Sequence, residues 1–227
     1  MENYDCIFAD PPDNIGLEYD DDLTPEAYAD FLEACLSQFI KSAPIVWVSF
    51  NAIYTFTMGR IVDNLIKREL CLEAKPCVQI FTFGQHRQTD MGNNHRPLWR
   101  LRRSYAPLYP DTIRVESERQ RLGDSRADPR GRVPGDVINT ADPSVFDYPR
   151  VVGNSPQRRS WHPTQLHENM VEQCIKLSTK EGDHVCDPFG GTGTTLRVCR
   201  RIGRDCTLIE RESKYIIQLR RAHPQAE

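Results

Sequence analysis

Apolar residues along the first 84 positions follow two alternating spacings, which predict strands and helices in turn. From Ala27 to Ile40 they recur at i, i+3 and i+4, the spacing of an amphipathic helix. Thr24 and Pro25 precede this helix as an N-cap and a first-turn proline. Strands alternating with helices indicate a parallel sheet covered on both faces. The other elements predicted in this part are strands at Tyr4–Ala9, Ile45–Val48 and Cys77–Phe83 and a helix at Ile53–Glu69.

The alternation stops in the middle of the chain and returns towards its end. Residues 84–160 are dominated by Arg, Pro, Gly, Asp and Asn, and an irregular stretch of this length inside a compact domain is commonly functional. Within it, Asn94–Arg103 interleaves basic and apolar residues and is predicted as a strand, and Arg114–Arg132 as a mobile loop. The later elements are helices at Gln165–Ser178, Leu196–Arg201 and Ser213–Arg221 and strands at His184–Cys186 and Thr207–Ile209.

A glycine-rich turn between the last two predicted strands carries the clearest chemical signal. It reads Asp187-Pro188-Phe189-Gly190-Gly191-Thr192-Gly193-Thr194-Thr195. Glycines let the backbone approach a ligand closely, and the helix that follows offers unpaired N–H groups at its N-terminus. The next strand runs into Glu210, an acid placed to accept hydrogen bonds from ribose hydroxyls. The pattern lacks both the G-x-G-x-x-G spacing and the lysine of a P-loop. It predicts a nucleotide-type pocket, and a tight turn without a ligand is the alternative.

A second motif, Asp10-Pro11-Pro12-Asp13, follows the first predicted strand. Two prolines continue neither a helix nor a central strand, so the strand has to stop there. The stop exposes the Asp10 carboxylate and the neighbouring carbonyl groups. A rigid turn capped by Asp10 is the alternative without chemistry.

These two motifs, together with His162-Pro163-Thr164-Gln165, resemble the β-class DNA amino-methyltransferases. That family carries D-P-P-Y, H-P-T-[QE]-K-P and D-P-F-x-G-[ST]-G-[ST]-T in this order. The resemblance spans most of the chain. It implies an α/β, Rossmann-like methyltransferase fold with circularly permuted motif order, in which the catalytic half comes first and the cofactor half last. It also implies S-adenosylmethionine as the cofactor and an exocyclic amine of adenine or cytosine as the methyl acceptor.

The resemblance assigns roles to individual residues. Asp10 and the Pro11 carbonyl accept the two N–H groups of the target amine, which frees its lone pair for attack on the sulfonium methyl. The reaction requires positioning rather than a metal or a covalent intermediate. The catalytic candidates are Asp10, Pro11, Pro12 and Asp13. The cofactor-binding candidates are Ala9, Asp10, His162, Pro163, Thr164, Gln165, Asp187, Pro188, Phe189, Gly190, Gly191, Thr192, Gly193, Thr194, Thr195 and Glu210.

The chain departs from the family pattern at three places. Asp13 stands where the family has an aromatic residue that stacks on the target base, and Leu166-His167 replaces the usual Lys-Pro pair. The Gly-Asp segment that precedes D-P-P and touches the cofactor adenine has no counterpart, so we expect the pocket to be incomplete on one side or filled from elsewhere. Asp13 is expected to hydrogen-bond a donor on the base edge, or another residue to provide the stacking platform. The aromatic candidates for that platform are Tyr19, Trp99, Tyr105 and Trp161.

Charge is distributed unevenly along a chain whose net charge is −3. Residues 1–84 are acidic, whereas residues 85–160 contain 14 arginines, no lysine and 9 acidic residues. Arginine suits forked hydrogen bonds to phosphates and guanine edges, and the family places its target recognition here. We expect a catalytic half at 1–84, a basic recognition insert at 85–160 and a cofactor half at 161–227. The nucleic-acid-binding candidates are Arg96, Arg100, Arg102, Arg103, Arg158 and Arg159, the last two foremost.

Composition limits the remaining function classes. No apolar run has the length of a membrane span, and the N-terminus lacks the features of a signal peptide. Eight cysteines occur without a C-x-x-C pair, so reduced and mostly buried thiols, a cytoplasmic location and no metal site are expected. We expect no membrane partner, and the oligomeric state, monomer or homodimer, stays open.

The resemblance implies a site-specific DNA methyltransferase acting on a base flipped out of the duplex, in the setting of restriction-modification. Adenine N6 is the first expectation, because D-P-P is closer to the adenine enzymes than the S-P-P form common among cytosine N4 enzymes. Cytosine N4 methylation, an inactive nucleic-acid-binding homologue, and an enzyme acting on RNA or modified bases are the alternatives.

Overall fold

The computed structural model describes residues 3–16, 22–80, 88–139, 159 and 165–224. Over these residues, eight strands form one mixed sheet in the order β6-β4-β5-β2-β1-β7-β8, and β3 also pairs with β5. The strands are β1 (Cys6–Ala9), β2 (Ile45–Ser49), β3 (Leu72–Lys75), β4 (Val78–Ile80), β5 (His95–Arg103), β6 (Val137–Asn139), β7 (His184–Asp187) and β8 (Asp205–Leu208). The helices are α1 (Pro25–Ser42), α2 (Thr55–Arg68), α3 (Glu118–Arg121), α4 (Glu168–Ser178), α5 (Thr194–Arg201) and α6 (Ser213–Ala222).

The centre of the sheet is parallel, as the alternating pattern predicts. Strand β1 lies between β2 and β7, with Ile7 opposite both Val46 and Cys186, and β8 continues the parallel set beyond β7. The first and last parts of the chain therefore meet at the middle of the sheet. Because parallel strands end at the same edge, the segments that follow β1, β2, β7 and β8 converge on one side.

Strand β5 reverses the direction of the sheet beyond β2. It runs antiparallel to β2, β3 and β4, with Val48 opposite Trp99. This corrects the expectation of a purely parallel sheet. It also places a strand from the predicted insert within the sheet. Because β5 runs antiparallel to β2, its N-terminal end lies at the edge where the parallel strands have their carboxyl ends.

Both faces of the sheet are covered, and the side chains of β1 show how the two faces divide. Ile7 and Ala9 pack into a core with α1 and α2, whereas Cys6 and Phe8 pack into a second core with α4 and α5. This is the two-residue alternation of a strand buried on both sides. In the second core the buried Trp47 indole donates a 2.8 Å hydrogen bond to the Ser178 hydroxyl.

The predicted boundaries agree with the structure where capping residues mark them. The Thr24 hydroxyl accepts a hydrogen bond from the Ala27 N–H, and Pro25 is the first residue of α1, as predicted. The helix predicted from Ile53 begins as a 3₁₀ turn, and α2 proper starts at Thr55. The strand predicted over Cys77–Phe83 is seen at Val78–Ile80, and its last part lies outside the described residues. The sequence did not predict strand β3: its four residues, Leu72-Glu73-Ala74-Lys75, alternate apolar and polar, but the run is short and contains no β-branched or aromatic residue.

The segment expected to be a mobile loop has a defined path. Val115 and Arg132 form an isolated antiparallel bridge, and α3 between them begins with a capping box formed by Ser117 and Gln120. Arg114 donates to Asp111 at 2.5 Å and to the Gly131 carbonyl at 2.7 Å. The mixed charges of this segment therefore pair largely with each other.

All eight cysteines lie within the described residues, and none forms a disulfide. Five are buried, as expected, and Cys71 is exposed. Across the part of the chain that is described, none of the helices combines the length and the apolar character that crossing a membrane requires.

Candidate active site

Three carboxylates follow the ends of the parallel strands and line one cavity. Asp10 follows β1, Asp187 ends β7, and Glu210 lies two residues beyond β8. The cavity has a volume of about 460 Å³, within the usual range of small-molecule sites. Its lining residues are Asp10, Pro11, Pro12, Asp13, Phe31, Arg96, Gln165, Leu166, Asp187, Pro188, Phe189, Gly190, Gly191, Thr192, Thr194, Thr195, Ile209, Glu210, Arg211, Glu212 and Tyr215.

The glycine-rich turn folds tightly against the end of β8. The Gly190 N–H donates to the Ile209 carbonyl at 2.7 Å, and a Cβ at Gly190 would lie 2.7 Å from Leu208 Cγ. Gly193, the residue before α5, has φ +74°, and a Cβ there would lie 2.7 Å from Leu219 Cδ2. A side chain at either position would therefore displace the packing behind the turn. The turn holds the start of α5 at the cavity, where Thr194 and Thr195 line it.

Glu210 is fixed by main-chain hydrogen bonds from two sides. Its Oε2 accepts from the Gly191 N–H at 2.7 Å, and its Oε1 accepts from the Glu212 N–H at 2.8 Å. Each carboxylate oxygen has a further lone pair, so the group can accept additional hydrogen bonds while its orientation stays set. This geometry suits an acceptor for a pair of adjacent hydroxyl groups.

Asp187 is buried at the base of the cavity. It accepts hydrogen bonds from the Phe189 N–H at 3.0 Å and from the Thr195 hydroxyl. Burial raises the pKa of Asp187 to about 7, and the negative charges of Asp10 and Glu210 add to the effect. A cationic group bound beside Asp187 would offset that burial cost and favour the ionised carboxylate.

The cavity is compatible with S-adenosylmethionine in charge and in volume. The cofactor carries a sulfonium and an ammonium group, and five carboxylates line this cavity, those of Asp10, Asp13, Asp187, Glu210 and Glu212. Apolar side chains, including Phe31, Ile209 and Tyr215, complete the walls. The residues present are therefore compatible with that cofactor.

At the other end of the cavity, Arg96 joins the two acids of the D-P-P-D motif. Its Nη2 donates to Asp10 Oδ1 at 2.7 Å and lies 2.9 Å from Asp13 Oδ1, and its Nη1 donates to Asp13 Oδ2 at 3.1 Å. Its Nε donates to the Ser49 hydroxyl at 2.6 Å. Burial alone would lower the pKa of Arg96, but Asp10 and Asp13 raise it above its ordinary value. The guanidinium is thus permanently charged and held on three sides.

The loop that carries the motif is fastened to α1 and to the turn before α2. The Tyr28 hydroxyl donates to the Pro12 carbonyl, and the Tyr54 hydroxyl donates to the Asn14 carbonyl at 3.0 Å. Asn14 adopts φ +52°, a left-handed conformation that asparagine tolerates, and its amide donates to the Leu23 carbonyl at 2.9 Å. These hydrogen bonds therefore hold in place the turn that carries Asp10 and Asp13.

Asp13 does not point its carboxylate into open space. The residue is 7% exposed, and both of its oxygens lie close to Arg96. Of the aromatic candidates for a stacking platform, Trp99 packs edge-on against Phe50 with 5.3 Å between ring centroids, and Tyr105 is 65% exposed. Neither lines the cavity. Tyr19 and Trp161 lie outside the described residues.

The other arginines predicted to bind nucleic acid on β5 also have partners within the protein. The Arg102 and Arg103 side chains are only 19% and 14% exposed. These arginines therefore lie on a strand of the sheet. The alternation of basic and apolar residues along β5 reflects packing within the protein as well as charge. Their partners are the Trp47 ring for Arg100, Glu73 and the Ala106 carbonyl for Arg102, and Glu69 with the Leu70 and Ile40 carbonyls for Arg103.

The His162-Pro163-Thr164 part of the third motif, and Arg158, lie outside the described residues. Gln165 lines the cavity, and its side-chain oxygen accepts from the Arg159 N–H at 2.9 Å. His167, in place of the family's proline, is fully buried and caps α4, with Nδ1 accepting from the Asn169 N–H at 3.2 Å. Burial lowers the pKa of His167 to about 4, so this position carries no cation at neutral pH.

The sequence did not indicate that Ser49 would hold Arg96 against Asp10. Ser49 ends β2, which runs parallel to β1 beside it, and Arg96 comes to the same edge because β5 runs antiparallel to β2. In the sequence, Arg96 is marked only by its charge, which made it a nucleic-acid-binding candidate. Ser49 is marked only by its place next to the end of a predicted strand. Arg211, Glu212 and Tyr215 also line the cavity without having been singled out.

Comparison with known proteins agrees with this geometry. A model of the DNA methylase family, N6_N4_Mtase, matches residues 4–221. The chain is 28% identical over 229 residues to the DNA adenine methyltransferase YhdJ of Escherichia coli K12, covering 95% of this chain and 74% of that protein. It is 25% identical to the type II methyltransferase M.BglII of Bacillus subtilis, covering 93% of this chain and 61% of that protein.

Two solved structures show the same fold. The M1.HpyAVI–SAM complex superposes with a TM-score of 0.63 at 17% identity, covering 97% of this chain and 88% of that one. PvuII DNA methyltransferase, described as cytosine-N4-specific, superposes with a TM-score of 0.65 at 15% identity, covering 95% of this chain and 77% of that one.

Proposed function

The chain belongs to the DNA methylase family of N6 and N4 amino-methyltransferases, and from this premise we propose that it methylates the N6 amino group of adenine in DNA. The cofactor in this proposal is S-adenosylmethionine. The observation that carries the proposal is the placement of Asp10 in the same cavity as Asp187 and Glu210. An acceptor for an amine and a pocket for a cationic nucleoside thus open onto one space.

Asp10 is the group that engages the target amine. Its Oδ1 is held by Arg96, and its Oδ2 accepts no hydrogen bond from any described residue. Oδ2 can accept one amino N–H, and the Pro11 carbonyl can accept the other. These contacts favour a pyramidal nitrogen whose lone pair is available for attack. The cofactor, when bound, supplies an activated methyl group on its sulfonium.

The remaining cavity residues position the reactants and exclude water, and they do not take part in the reaction themselves. Asp187 and Glu210 would hold the ammonium group and the ribose hydroxyls of the cofactor, each through an oriented carboxylate. The apolar walls displace water from the methyl-transfer path. Fixing two reactants at attack distance accounts for a large share of the rate gain in such displacements.

The target base has to leave the duplex to reach a cavity of this depth, so we include base flipping in the proposal. Adenine is preferred because Asp10-Pro11-Pro12 resembles the adenine enzymes, and YhdJ, an adenine methyltransferase, aligns over most of the chain. Cytosine N4 is the second candidate, and the fold shared with PvuII methyltransferase supports it.

Target recognition is proposed for residues 85–160, as the charge distribution suggests. Strand β5 is part of the sheet, so the recognition surface would come from the rest of this segment, which includes Arg158 and Arg159. We further propose that the enzyme works in the cytoplasm, where DNA is available and its eight cysteines stay reduced. It acts there as a monomer or as a homodimer. A partner restriction enzyme is consistent with the type II methyltransferases among its relatives.

The test is nucleoside mass spectrometry on mixed-sequence duplex DNA after incubation with the protein and methyl-labelled S-adenosylmethionine. Label in N6-methyladenine is expected. Label in N4-methylcytosine would transfer the proposal to the second candidate. Label found only in a parallel sample of RNA or of hydroxymethylated DNA would make that nucleic acid the substrate in place of ordinary DNA. No label in any sample, with cofactor binding measured by calorimetry, would indicate a binding protein and contradict the proposal.

A further inference from the structure

Arg96 has an arrangement that the family motif does not require. Its guanidinium is bound along its edges by Ser49, Asp13 and Asp10, each contact between 2.6 and 3.1 Å. Guanidinium N–H groups lie in the plane of the group, so edge contacts fix that plane and leave its two faces without hydrogen bonds. The side chain keeps 19% of its surface exposed and lines the cavity.

The same contacts explain the acid at position 13. A carboxylate cannot stack on a base, and Asp13 directs both oxygens towards Arg96. Asp13 and Asp10 together outweigh the charge of Arg96, so the cluster has no surplus positive charge for a phosphate. An anchored, charge-compensated guanidinium is a planar surface that stacks on aromatic rings.

We propose that Arg96, anchored by Asp13, is the residue on which the target base lies, in place of the stacking aromatic. This inference rests on the proposed function. A base whose amino group binds Asp10 Oδ2 at about 3 Å lies next to the guanidinium, because Arg96 Nη2 lies 2.7 Å from the other oxygen of the same carboxylate. Arg96 thus supports the base and fixes the carboxylate that receives its amine.

The pair also replaces the earlier interpretation of Asp13 as a reader of the base edge. Its acceptors are directed at Arg96, so its influence on the base passes through the guanidinium. Asp13 is therefore a positioning residue. Substitutions at positions 13 and 96 should have interdependent effects rather than additive ones.

The experiment measures single-turnover methylation on a duplex that contains the sequence methylated by the wild-type protein, together with the fluorescence of 2-aminopurine at the target position. Arg96→Met should lower the methylation rate about 100-fold and reduce the flipped-base fluorescence. Arg96→Lys, which keeps the charge but loses the plane, should lower the rate at least about tenfold. Cofactor affinity should stay within about threefold of wild type for both. Arg68→Lys, in an exposed ion pair with Glu33, is the matched control and should behave as wild type.

A double variant distinguishes a stacking role of Arg96 from a role in positioning Asp10 alone. Asp13→Tyr combined with Arg96→Met supplies an aromatic ring at the family's position, and it should recover about tenfold of the rate lost in Arg96→Met. Asp13→Asn combined with Arg96→Met should be no slower than Arg96→Met alone. If Asp13→Tyr combined with Arg96→Met recovers neither rate nor fluorescence, the base does not lie on Arg96 and the inference is overturned.

Other outcomes are equally decisive. Unchanged rates and fluorescence in Arg96→Met and Arg96→Lys would contradict the inference while leaving the proposed function intact. A faster Arg96→Met would show that Arg96 blocks Asp10. No labelled DNA with the wild-type protein would contradict the proposed function itself. If Arg96→Met loses cofactor binding or fails to fold, Arg96→Lys and Asp13→Asn carry the test, and wild-type rates in both overturn the inference.

Discussion

The two ends of the cavity are built in different ways. The glycine-rich turn and both carboxylates of the cofactor end come from one continuous part of the chain, His184 to Glu210, whose strand, turn and helix follow each other directly. The base end is assembled from three distant segments, because Asp10 follows β1, Ser49 ends β2 and Arg96 lies on β5. The glycine-rich turn of the cofactor end matches the family motif at every position, whereas the base end carries Asp13 and an arginine contact that the motif does not contain.

This difference shows where substitution is tolerated. In the glycine-rich turn, Gly190 and Gly193 are constrained by local packing, since a Cβ at either would lie 2.7 Å from another side chain. At the base end, Asp13 is compatible with the fold because Arg96, 83 residues away in the sequence, compensates its charge. A long-range partner thus allows a change that a local motif would not.

The largest effect is expected at the base end. Asp10→Ala removes the acceptor of the target amine and should lower the methylation rate by about 10³-fold or more, with cofactor affinity within about threefold of wild type. Single-turnover kinetics and calorimetry measure the two quantities. A matched loss of cofactor affinity would show that the two ends are not separable.

A smaller effect of the opposite kind is expected at the cofactor end. Glu210→Gln replaces a charged acceptor that the Gly191 and Glu212 N–H groups hold in place. It should weaken S-adenosylmethionine binding by roughly 10- to 100-fold, with the rate at saturating cofactor reduced far less. Calorimetric titration measures the affinity. Unchanged binding would show that Glu210 does not contact the ribose.

The cofactor end should also respond to pH. Burial raises the pKa of Asp187 to about 7, and an ammonium group beside it favours the ionised form. Below that pH, binding has to release a proton from Asp187. The affinity for S-adenosylmethionine should therefore fall by up to about tenfold per unit as the pH drops below 7, and level off above it. Asp187→Asn should remove this dependence, and its persistence in that variant would assign it to another group.

The smallest effect concerns stability at the edge of the cofactor end. Burial lowers the pKa of His167 from 6.5 to about 4, so below pH 6.5 the unfolded chain takes up a proton that the folded one does not. The free energy of unfolding should be fully retained above pH 6.5 and fall by about 2 kcal/mol by pH 5. Denaturant titrations of wild type and His167→Asn measure this. The variant keeps an N-cap and should lose less stability over that interval. Equal losses would contradict the assignment.

Most elements could be predicted from the sequence, because their signals are local. The Thr24 cap, the apolar face of α1 and the glycine turn before α5 depend on residues within a few positions of one another. Strand β3 and the direction of β5 could not be predicted in this way. Pairing partners far along the chain decide both, and a nine-residue strand carries no mark of the direction of its neighbours.

The sequence alone determined the family, the glycine-rich turn and the acid proposed to bind the target amine, because each depends on a compact run of residues whose spacing is tied to its chemistry. Only the tertiary structure decided what Arg96 does. A guanidinium of the predicted insert became the partner of Asp10 and Asp13 because an antiparallel β5 brings its first residues to the carboxyl edge of β1 and β2. Charge in a sequence gives the strength of a possible interaction, and only the fold gives its partner.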